Sequence, residues 1–452
     1  MKLSKESIAR MAEAYKGATT QHVAERAVTK NGILAASEDI QVAKGLSNPA
    51  FAFSIDVDDE AVANQKQSGR CWMFACLNFC RFHVEKELDL PRGTFELSQA
   101  YLAFYNKLER SNWFLDHIVA TADKGLDDRE VTWLVNAPMQ DGGDWDMVCG
   151  LIEKYGVVPH AAMVETACTN DTAQINTVLS HLLRQDALKL RSMVREGAAD
   201  ADVEAAEEAM LTEVYRVLCV AFGEPPQKVD FEYTDSKKEF HGVYGLTPLE
   251  FYRRYVGIDL DDYVGVINVP GEGNPYGRTY AIEDSDQVPE RENLYLNVDM
   301  PTLKAAVIDQ LKAGEPVWFG CDVLQHCDEQ LGVMSPDLYD FDDLFGVEFS
   351  MDKAERFAMH QSLPTHAMMI AGVNIVDGKP DKWKIENSWG TEAHGKKVGH
   401  NGYYVCSDEW FDEFVYEVAV RRSFLSPELQ KALEGEPVVW PFWNTFNPVT
   451  SL

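Results

Sequence analysis

The chain has 452 residues, 46% hydrophobic and 25% charged, enough to bury a large core in two or three domains or one elaborated domain. Its 73 acidic against 41 basic residues give a formal net charge of -32, a field that repels nucleic acid phosphate and anionic lipid and favours solubility. No apolar run approaches a membrane span, the N-terminus has no signal-like apolar segment, and the nine cysteines form no CxxC pair, so neither a membrane nor a nucleic acid partner is expected, and reduced thiols in a cytoplasmic protein are.

Residues 4 to 30 have helical composition, with Ile8, Met11, Ala12 and Tyr15 on one face. The segment Cys71–Val84 is apolar nearly all round, which predicts a helix inside a core and places Cys76 and Cys80 in that core. Leu97 to Leu108 predicts another helix, with Ser98 as its cap. Gln140-Asp141-Gly142-Gly143-Asp144-Trp145 is a turn that leads into a helix over Met147–Tyr155. From about 165 to 300 the texture changes to amphipathic and alanine-rich helices, followed by short strand-like runs and turn signals, as in an insertion or subdomain.

Beyond 300, strands are predicted over Val317–Val323, Ala367–Val376, Trp383–Asn387, Gly402–Cys406 and Glu417–Arg421. Asp377-Gly378 is a turn dipeptide between the second and third of these. His366 and Asn387 lie at similar distances on either side of that turn, so a hairpin brings them together.

The chemistry centres on Asn64-Gln65-Lys66-Gln67-Ser68-Gly69-Arg70-Cys71-Trp72. A thiolate is a strong nucleophile, and its pKa falls at a helix N-terminus and beside an imidazolium. Cys71 has the first setting, and His366 can supply the second. Gln65 can place an NH2 donor beside the Cys71 backbone N–H as an oxyanion hole, and Ser68 can help cap the helix. His366 would act as base and then acid, with Asn387 fixing its tautomer and Trp389 covering their bond. Singly, each piece has a blander meaning: an inert core thiol, a satisfied structural histidine, a strand end. Their joint occurrence in the order Cys, His, Asn, with an amide six residues before the thiol, outweighs those meanings. No HExxH or phosphate-binding glycine loop is present, and the aspartates at 337, 340, 342 and 343 fit a solvated turn better than a calcium loop. No metal or cofactor is expected.

On Gln65, Cys71-Trp72, Leu97-Ser98-Gln99, Asp141-Gly142-Gly143-Asp144, Thr365-His366-Ala367-Met368 and Glu386-Asn387-Ser388-Trp389-Gly390, the chain resembles the papain-like cysteine peptidases, within them the bleomycin hydrolase and aminopeptidase C branch. Phe319-Gly320-Cys321-Asp322, Lys353-Ala354-Glu355-Arg356 and Asp408-Glu409-Trp410-Phe411 extend the resemblance over most of the chain. His366 lies about 300 residues beyond Cys71, against roughly 130–150 in simple papain-like enzymes, as in the branch with a large insertion.

The resemblance implies an α+β fold: a helical lobe and a β-barrel lobe with the cleft between them, a large insertion and a C-terminal arm. The implied organisation is an N-terminal helical extension over 1–60, a helical catalytic lobe over 61–164, an inserted subdomain over 165–300, a β-barrel lobe over 301–425 and an arm over 426–452. Gly142 and Gly143 correspond to a backbone site for peptide substrate, although by themselves they fit a simple turn. Relatives of this branch are homohexamers with sites facing an inner channel, and their terminal carboxylate, here on Leu452, anchors the substrate amino group. The tail Trp443-Asn444-Thr445-Phe446-Asn447 departs from the usual ending of the branch, so a thiol aminopeptidase and a thiol endopeptidase with a non-blocking tail both stand at this point. A binding protein on an inactive scaffold is a third class, and the intact Gln65, Cys71, His366 and Asn387 weigh against it.

Overall fold

The computed structural model describes residues 2–47, 51–57, 60–288, 291–393 and 395–447. Ser4 accepts the Ser7 N–H and opens helix α1 (Lys5–Lys16), and α2 (Thr19–Asn31) follows after a break at Gly17-Ala18. Neither helix buries a residue, so Ile8, Met11 and Tyr15 present an apolar stripe to solvent.

The helical lobe is built around α3 (Cys71–Glu87), which is buried on every side from Cys71 to Cys80. Helix α4 (Gln99–Ala120) begins where the Ser98 hydroxyl accepts the Tyr101 N–H at 3.1 Å. Helix α5 (Trp145–Tyr155) begins where Asp144 accepts the Met147 N–H at 2.9 Å. Two long helices follow, α6 (Ala173–Arg195) and α7 (Asp200–Phe222). Their apolar stripes, Ile175, Leu179 and Leu183 on one and Val214 and Leu218 on the other, share one core with α3 and α4. A hairpin, β1 (Val229–Thr234) and β2 (Phe240–Leu246), packs Phe231 into the same core.

The second lobe is a sheet. Its strands are β3 (Tyr263–Ile267), β4 (Arg278–Ile282), β5 (Tyr295–Asn297), β6 (Val317–Cys321), β7 (His366–Val376), β8 (Lys379–Glu386), β9 (Tyr403–Ser407), β10 (Val415–Arg421) and β11 (Val438–Trp440). Their order is β11-β4-β5-β3-β10-β6-β7-β8-β9, with short strands at 333–334 and 327–328 beyond β9 and Ile55–Asp56 paired to β7. The segment 165–300 thus divides: its helices thicken the helical core, and β3 to β5 extend the sheet. The apolar run Tyr263–Ile267 pairs with β10, so no seam between chain segments falls at 300.

Alternation along the strands sorts their side chains. Trp318, Ala367, Met369 and Ala419 face the helical core, while Phe319, Met368, Ile370 and Val418 face a second core beneath helix α8 (Met300–Lys312). Bonds across the lobes join α3 to the sheet. Trp318 Nε1 donates to the Trp72 carbonyl at 3.0 Å, and buried Arg81 pairs with buried Glu386 at 2.9 Å.

Candidate active site

Cys71 is the first residue of α3, and the chain reaches it through a loop held on three sides. Arg70 is the N-cap residue but its side chain makes no cap. The guanidinium instead donates to Glu165 at 2.7 and 3.2 Å and to the Thr169 carbonyl at 2.7 Å. Ser68 does not cap α3, as its composition suggested; its hydroxyl donates to the Gln65 carbonyl at 2.6 Å and accepts from Arg70 Nε at 3.0 Å. Arg70 has drawn Ser68 away from the helix start, which leaves the first N–H groups of α3 for other partners.

Asp141 is the third hold. Its carboxylate accepts the Gly69 N–H at 2.8 Å, Lys107 Nζ at 2.8 Å, Asn176 Nδ2 at 2.9 Å and the Thr172 hydroxyl. Burial alone would raise its pKa, but Lys107 and these hydrogen bonds hold it well below the usual carboxylate range. The Asp141 carbonyl accepts Trp72 Nε1–H at 2.7 Å. Gly143 must be small, because a Cβ there would lie 2.5 to 2.7 Å from the Trp72 ring.

His366 opens β7, and Asn387 follows directly on β8. The hairpin turns at Asp377-Gly378, as the dipeptide predicts, with Asp377 at φ 50° and Gly378 at φ 80°. Two bulges, after Ile370 and after Asn374, adjust the register so that His366 Nε2 meets Asn387 Oδ1 at 2.9 Å. Asn387 Oδ1 also accepts the Ser388 N–H at 2.7 Å. The oxygen is therefore an acceptor, Nε2 carries the ring proton, and Nδ1 is left as the basic nitrogen. The Trp389 ring lies 4.8 Å from the His366 ring, tilted by 36°.

Gln65 is tied to the same strand end. Its backbone N–H donates to the Ser388 carbonyl at 2.8 Å, its Oε1 accepts the Ser388 hydroxyl at 2.6 Å, and its Nε2 donates to the Ser68 carbonyl at 2.5 Å. One Nε2 hydrogen is thus used, and the second remains for a substrate.

These groups converge. Gln65, Cys71, Gly142, Gly143 and His366 all line one cavity of about 360 Å³ between the lobes. Asn387 and Trp389 stand behind His366 rather than in the cavity wall. Leu452 lies outside the described residues; Phe446 and Asn447 reach the cavity. Cys71 and His366 are both biased to their neutral forms. Burial pushes the Cys71 thiol up to about 11 despite N–H groups of Ala367, Trp72 and Cys71 that favour the thiolate. Burial drives His366 down to about 4, with the Asn387 bond opposing. Each charge is costly alone, so both groups rest in their neutral forms.

Sequence reasoning missed the cleft floor. Asp144, Tyr295, Gly320 and Glu417 line the same cavity, and the Tyr295 hydroxyl donates to Asp144. The signal was available at Glu417, a charged residue on the core-facing side of an otherwise apolar strand. Among the described residues one group offers possible metal ligands, Asp235, Glu239 and His241. It sits at the β1–β2 hairpin, where Asp235 already accepts the Lys237 and Glu239 N–H groups and the His241 ring. In the 337–343 segment, Asp340 caps a short helix through the Asp343 N–H.

Residues 2–447 match the model of the Peptidase C1-like family. The chain is 44% identical to aminopeptidase C of Streptococcus thermophilus over 429 residues, 94% of either chain. It is also 44% identical to aminopeptidase C of Lactobacillus helveticus over 414 residues, 91% of this chain and 90% of that one. A crystal structure of pepW from Lactobacillus rhamnosis superposes with a TM-score of 0.94 at 44% identity, covering 98% of each chain.

Proposed function

Since the chain belongs to the Peptidase C1-like family, we propose that the cleft hydrolyses peptides from their N-terminus through an acyl-enzyme on Cys71. It is a cysteine-type peptidase of α+β fold. The observation that carries the residue assignment is the 2.9 Å bond from His366 Nε2 to Asn387 Oδ1, which leaves Nδ1 basic in the cavity that holds Cys71.

In this reading the Cys71 thiol passes its proton to His366 as the sulfur attacks the carbonyl. The oxyanion takes the free Gln65 Nε2–H and the Cys71 N–H. His366 returns the proton to the leaving amine, and water then releases the acyl group with His366 as base. Trp389 keeps water from the His366–Asn387 bond, and Gly142 and Gly143 offer backbone to an extended peptide. The C-terminal arm, entering the cleft at Phe446 and Asn447, supports removal of N-terminal residues, with the Leu452 carboxylate receiving the substrate amino group. The stripe of Ile8, Met11 and Tyr15, exposed on a helix that buries nothing, supports assembly into a homohexamer with an internal channel. Among the described residues no helix is long and apolar enough to cross a membrane. We place the protein in the cytoplasm, without a nucleic acid partner.

Digestion of a long peptide followed by mass spectrometry tests the activity. A ladder of single N-terminal losses is expected. Internal fragments would replace the reading with an endopeptidase whose arm does not block the cleft, and no cleavage would point to a non-catalytic scaffold. Light scattering should give six times the mass of one chain.

A further inference from the structure

We infer that Glu417, with Asp144 beside it, forms a cation subsite on the cleft floor for a side-chain ammonium or guanidinium group of the substrate. The inference rests on the peptidase reading above. Alternation along β10 points position 417 toward the helical lobe, the side on which Ala419 joins the apolar core. Glu417 is only 4% exposed and lines the cavity that holds Cys71 and His366, and its carboxylate makes no hydrogen bond or ion pair among the described residues. Two glycines lie beside it. Its Oε1 and Oε2 each lie 3.5 Å from where a Cβ would stand on Gly265 and Gly320 respectively.

The sheet register places this carboxylate relative to the reaction. Glu417 pairs with Gly320, and Gly320 pairs with Ala367, in one row across three strands. Strands lie about 4.8 Å apart, so the two ends of the row are about 10 Å apart, less the reach of the glutamate side chain. The Ala367 N–H is near enough to Cys71 to favour its thiolate. A cation on Glu417 therefore sits within about one or two residues' length of the carbonyl under attack.

Among the described residues no cation pairs with the carboxyl groups of Asp144 and Glu417 on the floor. Asp144 accepts from Tyr295 and from the Met147 N–H. The nearby Arg291 is committed elsewhere, to Asp146 at 2.9 Å, Glu153 at 2.7 Å and Asp261 at 3.1 Å. Burial and repulsion from Asp144 and Asp146 push the Glu417 carboxyl well above its usual range. Burial and Asp146 push Asp144 up to about 7, and Asp286 adds to that push. The pair thus retains a proton when empty. A substrate cation supplies the missing charge, and that proton leaves to solvent.

The test compares wild type with Glu417→Gln on three reporter amides with a free N-terminus: leucyl, lysyl and norleucyl. The variant should lower the lysyl-to-norleucyl ratio of kcat/KM by about ten- to a hundredfold and leave leucyl turnover near that of the wild type. An unchanged lysyl-to-norleucyl ratio would overturn the subsite. No cleavage by wild type would overturn the peptidase reading instead. Calorimetric titration with argininamide, which needs no turnover, then decides the subsite: binding with proton release that Glu417→Gln loses supports it, and equal or absent binding overturns it.

Discussion

Asn387 uses one oxygen for two donors, and through it fixes which nitrogen of His366 is basic. Replacing Asn387 with Ala should lower kcat by about a hundredfold, within the range that positioned acid–base catalysis contributes, with little change in KM. Replacing Cys71 with Ala should abolish turnover of any peptide while the circular dichroism melt stays that of the wild type. The pH profile follows from the directions of shift. His366 stays neutral down to about 4, and Cys71 keeps its proton up to about 11. Between those limits the pair holds one proton between them, so kcat/KM should form a broad plateau. Activity should fall on the acid side as His366 gains a second proton and on the alkaline side as Cys71 loses its own. An acid limb centred near the ordinary histidine value of about 6.5 would contradict the burial argument. That Cys71, His366 and Gln65 meet at one cavity with Asn387 behind was legible from their residue types and chain order. Ser68 misled because the sequence does not reveal that Arg70 competes for its hydroxyl.

At the scale of elements, the site depends on pieces that meet only in the fold. The α3 start is clamped by Asp141 and Trp72, and by Glu165, Thr169, Thr172 and Asn176 from the segment before and at the start of α6. Lys107 and Asp141 are both buried, with side chains 2% and 9% exposed. Replacing Lys107 with Ala leaves a buried carboxylate without its cation and should cost about 3–5 kcal/mol in a denaturant titration. Gly143→Ala drives a methyl into the Trp72 ring and should cost about 1–3 kcal/mol, with a loss of kcat/KM as the Cys71 loop shifts. The β7–β8 hairpin was legible because a turn dipeptide and two strand patterns are local signals. The two bulges that bring His366 to Asn387 leave no such mark. Nor did the texture of 165–300 show that its helices brace the loop before Cys71 while its strands join the sheet, since both depend on partners far along the chain.

For the whole molecule, the α+β class and the two lobes followed from the resemblance, whereas the acidic cleft floor did not, because it assembles from α5, β5 and β10. That floor leaves a thermodynamic signature. Asp144 and Glu417 have folded pKa values above their unfolded ones, so the native state holds protons that the unfolded chain has released. Their contribution is fully favourable below the unfolded carboxylate value of about 4 and is lost as pH rises through the folded value, about 7 for Asp144. Glu417→Gln should therefore raise the melting temperature more at pH 8 than at pH 5. The strand order has a consequence in time. Strand β3 pairs with β10, which lies between it and β6, so the middle of the sheet closes only when residues 415–421 have been made. At about 5–20 residues per second, the ribosome takes roughly 20–70 s to travel from the nucleophile to that strand. Cys71 thus leaves the ribosome long before His366 can be held in place, so under the proposed mechanism the nascent chain cannot cleave peptides until synthesis is nearly complete.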